Sequence, residues 1–177
     1  MIVPNLSLST YAAAGYPAVA VATADEDRAI SAVLEQFPER HIYMIAATAG
    51  LIDARTGQAV DPQAGYPQAF ARAAKDAEAI LVVLDYQHIV RNAAAYRTLR
   101  RVLPACKAQG SVIVLIAPSW SLPPELEHDV PVITDSLPSR DELAASLNVC
   151  ALATDSMLDA PVRSALLDAA SGLTLAA

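Results

Sequence analysis

The sequence predicts an α/β protein, a three-layer αβα sandwich in which helices cover both faces of a parallel sheet. Three observations point there. Strand-sized apolar runs alternate with stretches whose apolar residues recur at helical spacing, the order a parallel sheet needs because each return crossover is long. The central runs, Ala79-Ile80-Leu81-Val82-Val83-Leu84 and Val112-Ile113-Val114-Leu115-Ile116, are continuously apolar, as strands buried on both faces are. Hydrophobic residues make up 54% of 177 residues and charged ones 18%, enough for a core and too apolar for a disordered chain.

The elements follow in order. Residues 1–16 carry no pattern and read as an N-terminal arm. Residues 17–23 are the first strand. Thr23-Ala24-Asp25-Glu26 fits a capping box opening a helix over about 25–37, with Ile30, Val33, Leu34 and Phe37 on one face and Pro38 ending it. His41 to Ala46 is the second strand. Residues 47–66, punctuated by Gly50, Gly57, Pro62 and Gly65, read as one long connection. Connections of that length are often functional, so this one is a candidate for partner contact. Residues 67–77 form a short alanine-rich helix, and Ala79 to Leu84 the third strand, ending in Asp85.

A helix then spans roughly 90–108, with Tyr96, Leu99, Val102 and Leu103 on its apolar face, a kink expected at Pro104 and a stop at Gly110. The fourth strand is Val112 to Ile116. After a proline-rich turn, Val130-Pro131-Val132-Ile133 is a short fifth strand, and its proline places it at a sheet edge. Ser139-Arg140-Asp141-Glu142 is a second capping box, opening a helix to about 150, and Pro161 opens a last helix that ends at Ser171-Gly172. The division is an arm at 1–16, an α/β domain at 17–138 and a helical appendage at 139–177. The chain stops at Leu173-Thr174-Leu175-Ala176-Ala177, where a further helix would begin, which predicts continuation into a longer protein.

The first strand–helix junction carries the main functional signal. In a nucleotide-binding α/β module it holds a glycine-rich loop with a lysine, whose backbone N–H groups cradle phosphate. Here Thr23 runs straight into Ala24-Asp25-Glu26-Asp27, three carboxylates and no glycine or lysine. That pattern suggests a platform rather than a catalyst.

Composition narrows the setting. A net charge of −7 argues against a duplex nucleic-acid partner. Cys106 and Cys150 are far apart, in no C-x-x-C pair and away from histidines, so no zinc or redox motif is present. The opening Met1-Ile2-Val3-Pro4-Asn5 lacks the cationic segment and apolar run of a secretion signal. With the unpaired cysteines this points to a reducing cytoplasm. No apolar run reaches membrane-spanning length.

From Ala79 onward the order of features resembles the AAA+ ATPases, and more closely the degenerate first module of two-module bacterial, phage and plastid members. The carriers are Leu81-Val82-Val83-Leu84-Asp85-Tyr86-Gln87-His88, similar to a Walker B strand, then Tyr96-Arg97-Thr98-Leu99-Arg100-Arg101, Val112 to Pro118, Leu122-Pro123-Pro124-Glu125-Leu126-Glu127, Leu137 to Leu143, and the tail Ala169 to Leu175, similar to the start of a lid. The resemblance implies a five-stranded parallel sheet of P-loop NTPase type, a small helical lid and side-by-side assembly into rings. It also implies a working module downstream of residue 177, which would hold the ATP and magnesium. The departures are as informative. The Walker A lysine has no counterpart, Tyr86 stands where an active module carries its catalytic glutamate, Ala117 replaces a polar residue at the end of the fourth strand, and the following turn offers His128 and Asp129 but no arginine. No catalytic, cofactor or metal residue is therefore assigned in this segment, and Asp85 is only a residual Walker B position.

Several residues keep two readings. Asp85 could hold magnesium or cap the turn after its strand. With Asp25, Glu26 and Asp27 it could also form the acidic pocket of a receiver-like regulatory domain phosphorylated at Asp85, although Thr134-Asp135-Ser136 offers no lysine after the fifth strand. Arg91, Arg97, Arg100, Arg101 and Lys107 make the 90–108 helix basic on its outer side, either a solvated face or a partner surface. If it is functional, a protein partner is preferred: the Glu125, Glu127, Asp129 stretch of a neighbour, in a head-to-tail contact that closes into a ring. Trp120 packs under the lid or anchors an interface. His41, His88 and His128 are scattered without ligand spacing. The partner-contact candidates are thus Arg97, Arg100, Arg101, Trp120, Glu125 and His128.

Overall fold

The structure is a computed structural model that describes residues 7–135, 137–153 and 159–172. The described residues divide into a sheet-bearing unit up to Asp135 and a separate helical unit.

The sheet unit holds seven strands, β1 (Ala18–Ala22), β2 (Ile42–Ala46), β3 (Ala49–Asp53), β4 (Ala59–Asp61), β5 (Ile80–Val83), β6 (Val112–Ala117) and β7 (Val132–Thr134), in the order β4-β3-β2-β5-β6-β1-β7. The five strands read from the sequence are the parallel part, β2-β5-β6-β1-β7. β7 is at the edge, where Pro131 costs no ladder bond to an outer neighbour.

The other two strands correct the expectation of a long loop at 47–66. β3 pairs antiparallel with β2, and β4 with β3. Gly50 lies inside β3 because a Cβ there would sit 2.5 Å from the Asp61 carbonyl oxygen, so the glycine marks a close backbone approach. Gly57, at φ +69°, lies in the β3–β4 turn. Asp53 ties that turn together: its Oδ1 accepts from the backbone N–H groups of Arg55 (2.9 Å) and Thr56 (2.8 Å).

Helices fill both outer layers. α1 (Leu8–Ala13) and α2 (Glu26–Gln36) cover one face, where Leu8, Val33 and Phe37 pack on Val19, Val21, Ile80, Val82, Val114 and Ile116. α1 falls in the stretch where the sequence shows no pattern, and Leu8 fixes it to the core. α3 (Tyr66–Ala73), α4 (Ala93–Gln109) and α5 (Pro124–Glu127) belong to the other face, where Phe70, Leu99, Leu103 and Leu126 meet Leu81, Val83, Ile113 and Leu115. Alternate residues of each central strand thus serve opposite layers, which is why the runs are apolar throughout. α4 contains Pro104 and ends at Gly110, in the left-handed conformation at φ +67°.

The helical unit contains α6 (Arg140–Ala153) and α7 (Ala160–Ala169). The capping box expected at its start is formed: the Ser139 N–H donates to Glu142 Oε2 (2.7 Å) and the Glu142 N–H to Ser139 Oγ (3.3 Å). Arg140 pairs with Asp168 across the two helices. The Leu173 to Ala177 tail and residues 1–6 lie outside the described residues. Among the described residues no helix is long and apolar enough to cross a membrane.

Candidate functional site

The C-terminal ends of the parallel strands β5, β6, β1 and β7 share one edge of the sheet, the side on which α/β sheets bind ligands. The β1–α2 connection is only Thr23-Ala24-Asp25, and the chain's own side chains close it. The helix cap is Asp25 rather than Thr23, a correction by two residues. Its Oδ1 accepts from the Arg28 N–H at 3.0 Å, so one of the free N–H groups that would face a phosphate is already engaged. The Thr23 hydroxyl accepts from the Asp25 N–H (3.0 Å) and donates to Asp135 Oδ2 (3.0 Å). Arg28 pairs with the same Asp135 oxygen, and the Asp135 side chain is 1% exposed. The Asp135 N–H donates to the Ala22 carbonyl at 2.8 Å, locking the end of β7 to β1. Among the described residues Asp25 Oδ2 and Asp135 Oδ1 have no hydrogen-bond partner.

The connection has no glycine to let phosphate approach the backbone, no lysine, and an inward-turned hydroxyl. Burial, then the charges of Asp85 and Asp27, push the Glu26 carboxyl above its ordinary 4.5.

Asp85 sits at φ +62°, a left-handed position rare for a non-glycine residue. It caps the β2–β3 turn rather than its own, its Oδ2 accepting from the Ala47 N–H at 3.1 Å. Among the described residues no group of three or more His, Cys, Asp or Glu side chains is placed to hold a metal ion. The receiver-like alternative fails on topology. Receivers place the first strand between the second and third parallel strands, whereas β1 here lies between β6 and β7, with β6 separating it from β5 and Asp85.

Tyr86, which the resemblance sets where an active module carries a glutamate, is 1% exposed in the core. Its hydroxyl donates to the Ala95 carbonyl (2.7 Å), and burial raises its pKa. Tyr66 and Phe70 pack edge-on against it, with centroids 5.2 Å and 5.3 Å away. Tyr66 donates to the Leu84 carbonyl (2.9 Å), and burial, then the Asp85 charge, pushes it up to about 12.

The remaining candidates separate. Arg97, Arg100 and Arg101 share one face of α4 and line a cavity of about 520 Å³ together with Glu125. Glu125, expected to meet a neighbour's basic face, thus lies beside the arginines of its own chain. Trp120 and His128 are not among the lining residues. Trp120 is half-buried on the α3–α4 side and donates its indole N–H to the Val21 carbonyl at 2.9 Å, while His128 is exposed at the end of α5. A second cavity, of about 310 Å³ between α3 and α4 and lined by Tyr66, Phe70 and Tyr86, has no local sequence signature. Neither has the Thr23–Asp135–Arg28 lock, in which Asp135 is 112 residues from Thr23 and 107 from Arg28.

The protein-family model described as SpoVK-like AAA ATPase, N-terminal domain, matches residues 5–134. No curated protein matches the sequence. Among solved structures, domain III of the Thermotoga maritima replication initiation protein DnaA aligns with a TM-score of 0.58 at 10% identity, over 99% of this chain and 81% of that one. A DNA replication initiation factor aligns at 0.57 with 9% identity over 91% of this chain, which spans about half of that protein (53%). A chain of the Escherichia coli MS115-1 HORMA:CdnC:Trip13 complex aligns at 0.57 with 13% identity, over 93% of this chain and 62% of that one. At such identities the likeness shows the fold alone.

Proposed function

The chain belongs to the SpoVK-like AAA ATPase N-terminal domain family, and we propose that it is the non-catalytic first module of a larger cytoplasmic ATPase. Its role in this reading is assembly with its own copies and recruitment of a partner or substrate, while ATP and magnesium are bound by an active module downstream. One observation carries the reading: at the junction where phosphate would be held, the Thr23 hydroxyl and the Arg28 guanidinium bond the Asp135 carboxylate and the Asp25 carboxylate accepts from the Arg28 backbone N–H. Without a phosphate cradle, magnesium and ATP lose the contacts that position them. The buried Tyr86 supports the same reading, since no carboxylate is available there to orient a water molecule.

Calorimetric titration of the chain with Mg-ATP tests this. No binding heat is expected at millimolar nucleotide, and micromolar binding abolished by Asp85→Ala would falsify the non-catalytic reading. The assembly role is tested by sedimentation of the longer protein, whose ring should persist when the downstream module's phosphate loop is disabled but dissolve when this module is deleted. The proposed contacts are Arg97, Arg100, Arg101 and Glu125 on the α4 side and Trp120 and His128 around α5.

A further inference from the structure

The sheet unit has eight arginines, and they divide sharply. Arg28 pairs with Asp135, Arg40 donates to the Gly110 carbonyl, Arg55 to Phe37, Arg72 to Asp76 and Arg91 to Ser121. Arg97, Arg100 and Arg101, spaced three and four apart on α4, are exposed and make no hydrogen bond or ion pair among the described residues. In a chain of net charge −7, these three guanidinium groups share the cavity they line with a single carboxylate, Glu125. The same helix borders the apolar cavity of about 310 Å³, and Thr98 lines both cavities, so the charged row and the apolar opening are adjacent. Ile89, 38% exposed, adds apolar surface at that opening.

We propose that the α3–α4 face docks an acidic protein segment carrying one large apolar side chain. The side chain seats over Tyr66, Phe70 and Tyr86 against Ile89, and flanking carboxylates pair with Arg97, Arg100 and Arg101. This rests on the recruitment reading above and names the chemistry of what is recruited. Charge complementarity selects the occupant: guanidinium forks match carboxylates in bidentate geometry, and an apolar anchor in a pocket with a charged rim is the usual layout of a peptide site. A nucleic acid is disfavoured because Phe70 and Tyr86 are buried, 0% and 1% exposed, and offer no open ring face on which a base could stack.

The test is selection from a random-peptide display library against the whole chain, followed by anisotropy titration of the enriched peptides. The enriched sequences should combine two or more Asp or Glu with one Leu, Phe or Trp. Their affinity should fall at least about five-fold for Arg97→Glu/Arg101→Glu, because two rim pairs become repulsive, and fall with added salt. Ala94→Trp, at an exposed position lining the apolar cavity, should weaken binding at unchanged salt dependence, and Ile89→Ser serves if that variant fails to fold. Lys107→Glu, on the same helix but outside both cavities, should change nothing beyond about two-fold. The proposal is overturned if nothing enriches, if the enriched peptides lack carboxylates, if both site variants bind unchanged, or if a single-stranded oligonucleotide binds more tightly than any peptide. Mg-ATP titration of the same sample keeps the two readings apart. A failed selection without nucleotide binding removes this groove and leaves the platform standing.

Discussion

The β1–α2 junction and the outer face of α4 handle charge in opposite ways. At the junction Arg28 is turned inward to Asp135, the Thr23 hydroxyl bridges to the same carboxylate, and Asp25 caps its own helix. On α4 three arginines stand exposed, with no hydrogen bond or ion pair from their side chains among the described residues, beside an apolar opening. The place where this fold ordinarily meets a ligand is filled by the chain's own side chains, although Asp25 Oδ2 and Asp135 Oδ1 keep no partner there among the described residues, and the exposed guanidinium groups lie on a helix face elsewhere in the chain. If the module is non-catalytic, as proposed, partner contact is better sought at exposed charged groups than at this crevice.

The sharpest way to break that comparison is to try to restore the crevice. Tyr86→Glu supplies the carboxylate an active module carries, yet the position is 1% exposed and ringed by Tyr66 and Phe70. A charge there lacks a partner, and we expect a loss of about 4 kcal/mol or more in denaturant unfolding, with no ATPase activity gained. Tyr86→Phe, which removes only the bond to the Ala95 carbonyl, should cost about 1 kcal/mol. Hydrolysis by the glutamate variant would mean that the junction is not closed to nucleotide.

Breaking the lock itself comes next. Asp135→Ala leaves Arg28, whose side chain is 11% exposed, without that carboxylate. Removing one member of a buried pair costs about 3–5 kcal/mol, and the lower end applies here because Arg28 reaches some solvent. The double substitution Arg28→Met/Asp135→Leu should recover much of that loss, as apolar replacement of a whole pair does. An equally unstable double variant would show that the pair is not the unit that closes the junction.

The asymmetry between these regions also governs what the sequence could show. The missing phosphate loop was legible because it is a local signature: strand, glycines and lysine must be contiguous, and Thr23-Ala24-Asp25-Glu26 visibly lacks them. Its replacement was not, because Asp135 lies 107 residues from Arg28 and only the β1–β7 pairing brings them together. The five parallel strands were legible from their unbroken apolar runs. The β3–β4 hairpin was missed because Gly50 and Gly57 read as loop markers, although Leu51-Ile52 and Ala59-Val60 flank a glycine-containing turn in the pattern of a hairpin. The α3–α4 cavity draws its floor from residues 66, 70 and 86, a grouping that only tertiary packing creates.

On the α4 side the comparison is sharpened by Pro104. It lies inside the helix and is exposed, and lacking an N–H it leaves the Arg100 carbonyl without its helical donor. Pro104→Ala should therefore raise stability, by about 1–2 kcal/mol in thermal or chemical unfolding. If the Arg100 carbonyl contributes to docking, the same substitution should weaken peptide binding while it stabilises the fold. A variant that gains stability and binds unchanged would confine the site to side chains.

The smallest expected effect reports on the field at the closed junction. Glu26 is held above its ordinary 4.5 by burial, then by Asp85 and Asp27. Its folded form therefore binds the proton more tightly than its unfolded form does. Ionised Glu26 is then a liability at neutral pH, and the liability fades as pH falls through the folded value. Glu26→Gln should be as stable as the parent or more stable at pH 7, by about 0.3 kcal/mol after solvent screening, since the first-turn charge also gains from the helix dipole. The direction of the trend decides more than the size. The variant's advantage should shrink as pH drops from 7 towards 4. A site that stabilises negative charge would give the reverse, a Gln variant that loses ground as pH rises, and would mean that the junction still favours an anion at the end of β1.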